Sequence, residues 1–247
     1  MAFLAFSILR THVDVISPRS RFVLMKNTRD YKSETICEFN RSADNYDTHS
    51  PFYYSLTRLC DDAVLAQIAS FKALKLRILD VGCGTGALLE KIRNQFPEAI
   101  LNGVDISSNM LAIARNRNIS NAVFSEGDAE NLPYDNGSFD IVICCSSFHH
   151  YPNPDIAISE FRRVTRLGGI LIICDMDLPD MARLFANHIL FPYQQKGDVR
   201  VYTRHEIKVL LLKHGWFQCH VERMTPFQWI AVATARFEAP SESNQTQ

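Results

Sequence analysis

The stretch Ile78–Leu89, ILDVGCGTGALL, constrains this chain more than any other. A short apolar run, Arg77–Val81, stops at Gly82. A glycine-rich turn, Gly82-Cys83-Gly84-Thr85-Gly86, follows it. Leu88, Leu89, Ile92 and Phe96 then recur at helical spacing until Pro97. A strand that feeds through glycines into a helix lets a ligand press on the backbone. Glycine has no Cβ in the way, and the first N–H groups of a helix have no partner inside it. The next apolar run, Ile100–Val104, ends at Asp105, 19 residues beyond Gly86. A carboxylate at the tip of that second strand can accept hydrogen bonds from two ribose hydroxyls. Gly82, Gly84 and Ala87 also satisfy the G-x-G-x-x-G/A dinucleotide pattern. Spacing alone therefore predicts a nucleoside-bearing ligand and keeps a nicotinamide dinucleotide as a competitor.

The alternation continues downstream. Val123–Phe124 is a brief strand, Phe139–Cys145 (FDIVICC) a strong one after the turn Asn136-Gly137, and Gly169–Cys174 (GILIIC) a fifth. Ser107 offers an N-cap to a helix through Met110, Ile113 and Ala114. Asn153-Pro154 offers another, with Ala157, Ile158, Phe161 and Val164 as its buried face. Strands alternating with helices predict an α/β fold, and strands this apolar predict a sheet covered on both faces. Thr203 and Glu206 form a capping box for a helix ending at Gly215. Phe217–Arg223 and Phe227–Ala235 then read as strands joined too closely for a crossover, so they should pair antiparallel. The predicted architecture is a Rossmann-like, doubly wound seven-stranded sheet, mostly parallel, with an antiparallel C-terminal hairpin. Upstream, Ile36, Phe39, Ala43 and Tyr46 give a helical period over Lys32–Tyr46, and a second helix is expected over Leu56–Phe71.

The expected organisation is an extension at 1–30, a helical lid at 31–76 and a cofactor-binding core at 77–175. A cap insertion at 176–202, a closing helix and hairpin at 203–239 and a polar tail at 240–247 complete it. The N-terminal MAFLAFSIL is apolar but short and has no basic residue before it, so it is a poor signal peptide. Met25 opens the natural-looking start MKNTRDYK, and residues 1–24 are expected to add little to the fold. No apolar run approaches the ~20 residues of a membrane-spanning helix.

Lys plus Arg number 26 against 27 Asp plus Glu, a net charge of −1. A near-neutral chain has no electrostatic reason to seek nucleic acid or an anionic membrane. Arg162, Arg163 and Arg166 cluster at a predicted helix end, where cations oppose the macrodipole. The seven cysteines are odd in number, and their spacings fit neither a zinc site nor a CxxC motif, so no metal is expected. Cys144, Cys145 and Cys174 lie in apolar runs and read as small buried hydrophobes of a reducing, cytoplasmic compartment.

Residues 78–86 resemble motif I of the class I S-adenosylmethionine (SAM)-dependent methyltransferases, which runs apolar-apolar-Asp-apolar-Gly-x-Gly-x-Gly. The third glycine, Gly86, and the acid Asp80 tilt the choice towards SAM. GVDIS at 103–107 with Met110 looks like the family's ribose and adenine segment, EGDAENLPYDNGSFD at 126–140 like its adenine-edge segment, and SSFHHYPNP at 146–154 like its post-strand loop. RVTRLGG at 163–169 resembles the turn before strand five, with Leu167 where the family usually has proline. FNRSADNYD at 39–47, containing Tyr46, resembles the amphipathic helix that lids the cofactor. The resemblance spans 32–235 and is nearest to the ubiquinone and menaquinone C-methyltransferase branch. It implies that Gly82, Cys83, Gly84 and Gly86 form the cofactor loop and that Asp80 holds the SAM amino group. It implies that Asp105 binds the ribose, Ile106 and Met110 pack on the adenine, Asp128 and the Ala129 N–H bind the adenine edge, and Ser146 lies near the methionine end.

Methyl transfer from a sulfonium is an in-line displacement, in which alignment alone can contribute roughly 7–11 kcal/mol. A general base would add on the order of 10²–10⁴ in rate where the acceptor must lose a proton. His149 and His150 follow the fourth strand at the sheet's carboxyl edge. One of them can be that base, and equally they can be one packed and one solvated loop residue. Asp175 and Asp177 can bind substrate or cap the next helix. Two aromatic-rich segments, around Tyr46–Tyr54 and Phe185–Tyr202, suggest closure over an aromatic or otherwise apolar small molecule. The expected activity is methyl transfer to such a molecule. A NAD-dependent oxidoreductase and a non-catalytic SAM-binding module are the alternatives.

Overall fold

The computed structural model describes residues 30–48, 51–71 and 75–235, with side chains from 59 onward in the second segment. The expected N-terminal extension up to residue 29, His49, the side chains of Phe52, Tyr53 and Tyr54, and the polar tail lie outside the described residues.

Helix α1 (Tyr31–Ser42) ends in a 3-10 turn, Ala43–Asn45, and α2 covers Pro51–Ser70. The alternating core follows: β1 Arg77–Val81, α3 Ala87–Gln95, β2 Ile100–Asp105, α4 Ser108–Asn116, β3 Ala122–Glu126, β4 Phe139–Cys145, α5 Pro154–Val164 and β5 Thr165–Met176. A helical stretch made of α6 (Asp180–Phe185), a π turn (Ala186–Leu190) and α7 (Phe191–Tyr193) precedes α8 (Arg204–Lys213), β6 (Trp216–Thr225) and β7 (Gln228–Ala235). The sheet order is β3-β2-β1-β4-β5-β7-β6, with β7 antiparallel to both its neighbours and the pairs from β3 to β5 parallel. The order reverses between β1 and β4. In such sheets a crevice opens there, at the strands' carboxyl ends.

Alternation along the strands builds the two faces. Leu79, Val81, Val142, Cys144, Leu171 and Ile173 point to one layer, where they meet Ile158 and Phe161 of α5 and Ile207 and Leu211 of α8. Ile78, Ile141, Ile143 and Ile172 point to the other, against Val64 and Ile68 of α2 and Leu89 and Ile92 of α3. Each large apolar side chain so buried contributes roughly 1.5–3 kcal/mol relative to exposure. The Thr203–Glu206 capping box is present, as is the Ser107 cap, which accepts from the Met110 N–H. No helix among the described residues is long and apolar enough to cross a membrane.

Several local readings need correction. The first helix gives way to the 3-10 turn at Ala43 rather than continuing to Tyr46. β5 begins at Thr165, because Thr165 pairs with Phe139 before the register shifts to Ile141–Ile170. Asn153 occupies the N-cap of α5 but does not cap it, since its side-chain amide donates to Glu130 at 2.9 Å. Asp177 caps no helix; it pairs with Arg223 at 2.8 Å and Arg204 at 3.5 Å.

Candidate cofactor and active site

A cavity of about 430 Å³ opens at the carboxyl ends of β1, β2 and β4. Its floor is the glycine turn. Gly82, Gly84 and Gly86 all have positive φ, at 73°, 52° and 78°. Only glycine adopts this without strain. A Cβ at Gly82 would run into the Ser147 side chain, whereas one at Gly84 would meet nothing within 4 Å and project into open space. Gly84 is thus the point of close approach. Gly86 does not line the cavity. It occupies the left-handed N-cap of α3, where a Cβ would press on Ala114 and Phe124 at 3.2 Å, so its work is packing.

Of the residues expected to bind cofactor, Tyr46, Asp80, Gly82, Cys83, Gly84, Asp105, Ile106, Met110, Asp128, Ala129 and Ser146 line this one cavity. Asp105 accepts from the Gly84 N–H and the Ser107 N–H, both at 2.8 Å, which ties the tip of β2 to the loop. Burial raises its pKa against those hydrogen bonds. Asp80 is 2% exposed and makes no hydrogen bond to a described residue. Burial first, then the carboxylates of Asp61 and Asp105, push its pKa up to about 8. Asp128 accepts from the Glu130 N–H at 2.9 Å and from the Lys32 ammonium at 2.6 Å.

Sequence reasoning missed several wall residues. Lys32 of α1 bridges Asp128 and Glu130. Asp61 of α2 pairs with Lys91 of α3 at 2.5 Å. Tyr151 donates to or accepts from Ser147 Oγ at 2.7 Å. Lys32 and Asp61 had no local sequence signal, since each reaches the cavity from an N-terminal helix, whereas Tyr151 lies within the post-strand segment 146–154 beside His150. α1 docks through Asn40, which accepts from the Ser107 hydroxyl at 2.7 Å, and Asp47 accepts from the Thr85 hydroxyl at 2.8 Å.

The two candidate catalytic histidines separate. His150 lines the cavity and stacks edge-on against Phe39 at 5.1 Å. Burial, then the charge of His149, pull its pKa well below the usual histidine value. His149 lies behind the cavity wall, its Nδ1 paired with Asp175 at 2.7 Å. Burial opposes its charge, but Asp175 and Asp198 outweigh that and raise its pKa. Asp175 therefore serves His149. The second aromatic segment does not wall the cavity. Phe191 and Tyr202 are buried in the core, while Phe185 and Tyr193 are exposed, Tyr193 by 74%. Among the described residues, Phe39, Tyr46 and Tyr151 form the aromatic wall. Of the cysteines read as buried hydrophobes, Cys145 is only half-buried and lines the cavity.

The charge at the methionine end discriminates between ligands. Asp61, Asp80 and Asp105 face the cavity, with Lys91 paired to Asp61. An ammonium placed beside Asp80 favours its charged form and pairs with it, whereas a pyrophosphate there gains no such pairing and holds the carboxyl's pKa up. The residues present fit SAM.

Residues 79–173 match the family model described as a methyltransferase domain. The chain is 35% identical over 126 residues to a fatty-acid O-methyltransferase of Mycolicibacterium smegmatis, covering 49% of this chain and 46% of that one. It is 30% identical over 155 residues to a ubiquinone/menaquinone biosynthesis C-methyltransferase of Agrobacterium fabrum, covering 59% of each. It thus spans about half the length of these curated relatives. Phosphoethanolamine N-methyltransferase 2 of Haemonchus contortus, solved in complex with S-adenosyl-L-methionine, shares the fold with a TM-score of 0.60 at 18% identity, over 79% of this chain and 60% of that one. Residues 79–173 thus match a methyltransferase domain, and they lie on a sheet of Rossmann-like strand order.

Proposed function

We propose that this protein transfers the methyl group of SAM to a small, apolar acceptor. The observation that carries the reading is the buried carboxylate of Asp80, which bonds to no described residue and lines the same cavity as the open face of Gly84. SAM, when bound, supplies the activated methyl group. In this reading Asp80 receives its ammonium, and Asp105 exchanges a backbone partner for ribose hydroxyls. Ile106 and Met110 sandwich the adenine, Asp128 and the Ala129 N–H hold its edge, and Ser146 borders the methionine. Gly82, Cys83 and Gly84 supply the backbone floor, Gly86 sets the turn, and Tyr46 closes over the top from the lid at 31–76. His149 and His150 act at the acceptor end, His150 directly and His149 from behind it.

An apolar acceptor is favoured by the Phe39, Tyr46 and Tyr151 wall and by the fatty-acid and quinone chemistry named for the relatives. The near-neutral charge argues against nucleic acid as the substrate. Seven cysteines, odd in number and mostly in apolar runs, suit a reducing compartment such as the cytoplasm. Isothermal titration tests the reading: SAM is expected to bind and NAD not to, and Asp105→Ala is expected to abolish SAM binding. Binding of NAD alone, or unchanged SAM binding by the variant, would overturn it.

A further inference from the structure

Beside the cavity, the loop after β4 meets the end of the cap insertion at three metal-competent side chains. His149 Nε2 lies 3.5 Å and His150 Nδ1 3.6 Å from Oδ1 of Asp198, and all three ligand atoms lie within 4.8 Å of one another. These separations are too long for hydrogen bonds. They match the edge, about 3.4 Å, of a tetrahedron whose nitrogen and oxygen ligands stand about 2.1 Å from one centre.

Each ligand atom is free to point inward because its neighbours are committed elsewhere. His149 Nδ1 pairs with Asp175 Oδ1 at 2.7 Å, the carboxylate–histidine arrangement that orients a ligating imidazole. Oδ2 of Asp198 accepts from the Gln194 side-chain amide, which leaves Oδ1 available. His150 Nδ1 is buried and has no hydrogen-bond partner among the described residues. The backbone sets the spacing, since the Val199 and Arg200 N–H groups both donate to the His149 carbonyl, at 2.9 and 3.2 Å. Asp198 lies 48 residues beyond His150, so no sequence spacing announces the cluster.

We infer that His149 Nε2, His150 Nδ1 and Asp198 Oδ1 bind a divalent transition-metal ion of the zinc class, which fastens the cap insertion to the post-β4 loop. Two imidazoles and one carboxylate suit zinc or cobalt better than magnesium or calcium, which prefer all-oxygen sites. Three protein ligands leave a fourth position open, and His150 puts the site at the cavity wall.

The test uses the full chain, stripped with a chelator and reloaded with zinc or cobalt. Elemental analysis is expected to give one zinc per chain, and zinc is expected to raise Tm. Cobalt is expected to show tetrahedral d–d bands without thiolate charge-transfer absorption. Asp198→Asn should lose the bound ion, and Asp175→Asn should weaken it by about 10–100-fold. Three outcomes would overturn the site: no ion retained by folded wild type, equal retention by Asp198→Asn, or thiolate bands, which would assign the ion to Cys60, Cys145 and Cys174. SAM titration on the same samples separates this result from the methyltransferase reading.

Discussion

Asp80 concentrates the electrostatics of the cavity into one titration. Its pKa is raised from 3.8 to about 8 by burial and by neighbouring carboxylates. A carboxyl raised on folding binds more protons in the native state. It therefore imposes no penalty below about pH 4, an increasing one up to about pH 8, and a constant one above. A cation placed beside it lowers the pKa again. SAM uptake at pH 7 is expected to release a proton, measurable by calorimetry in two buffers of different ionisation enthalpy. Asp80→Asn should lose that release and should melt higher than wild type at pH 8 but not at pH 4 when ligand-free. Equal proton counts in both proteins would refute the assignment. His150 gives a second test at this scale. Its suppressed pKa keeps the ring neutral at pH 7, available as base or ligand. His150→Ala is expected to cut turnover by about 10²-fold or more while SAM affinity stays near wild type. A parallel loss of both would mark it as part of the cofactor site.

Among elements, α1 is the one whose role depends on contacts invisible in its own sequence. Lys32 reaches Asp128 and Glu130, but its side chain and that of Asp128 are each about a third exposed, at 34% and 32%. The Lys32–Asp128 pair, so exposed, contributes about 0.2–1 kcal/mol, and Glu130, 7% exposed, keeps its bonds from the Asn153 N–H and side-chain amide when Lys32 is lost, so Lys32→Ala should speed SAM release by no more than about fivefold in stopped-flow. A hundredfold change would show that the latch, not the floor, holds the cofactor. Periodicity and capping are local, which is why β1, α3, α5 and the Thr203 capping box were legible in advance. The first turn of β5 was not. Arg166, Leu167 and Gly168 lack alternation and join the strand only because Thr165 pairs with Phe139 across the sheet. The same limit governs the site. The loop, Asp105 and Asp128 announce themselves by order along the chain, whereas Lys32 and Asp61 arrive by tertiary approach. The adjacent histidines gave no hint that one would face the cavity and the other lie behind it.

For the whole molecule, the two apolar layers share one sheet, and this decides how stability is distributed. Ile92 is fully buried in the layer built with α2 and α3, and Ile158 is fully buried in the layer built with α5 and α8. Neither belongs to the other's cluster, so the two sites have no common packing partner through which a relaxation could pass. Removing one methyl group from each, as Ile92→Val and Ile158→Val, should cost about 0.5–1.5 kcal/mol apiece. Sites without shared contacts add to within about 0.3–0.5 kcal/mol, so the double variant should lose the sum. The strands carry both layers: Leu79 faces one while Ile78 faces the other. A sheet stripped of one layer would expose half of every central strand, so the layers cannot melt in turn. Urea denaturation followed by tryptophan fluorescence and by circular dichroism should therefore give one coincident transition in all three variants, with an unchanged m-value. Separate transitions would mean that the faces fold independently, and the crevice between β1 and β4 would then rest on a sheet able to lose one wall while keeping the other.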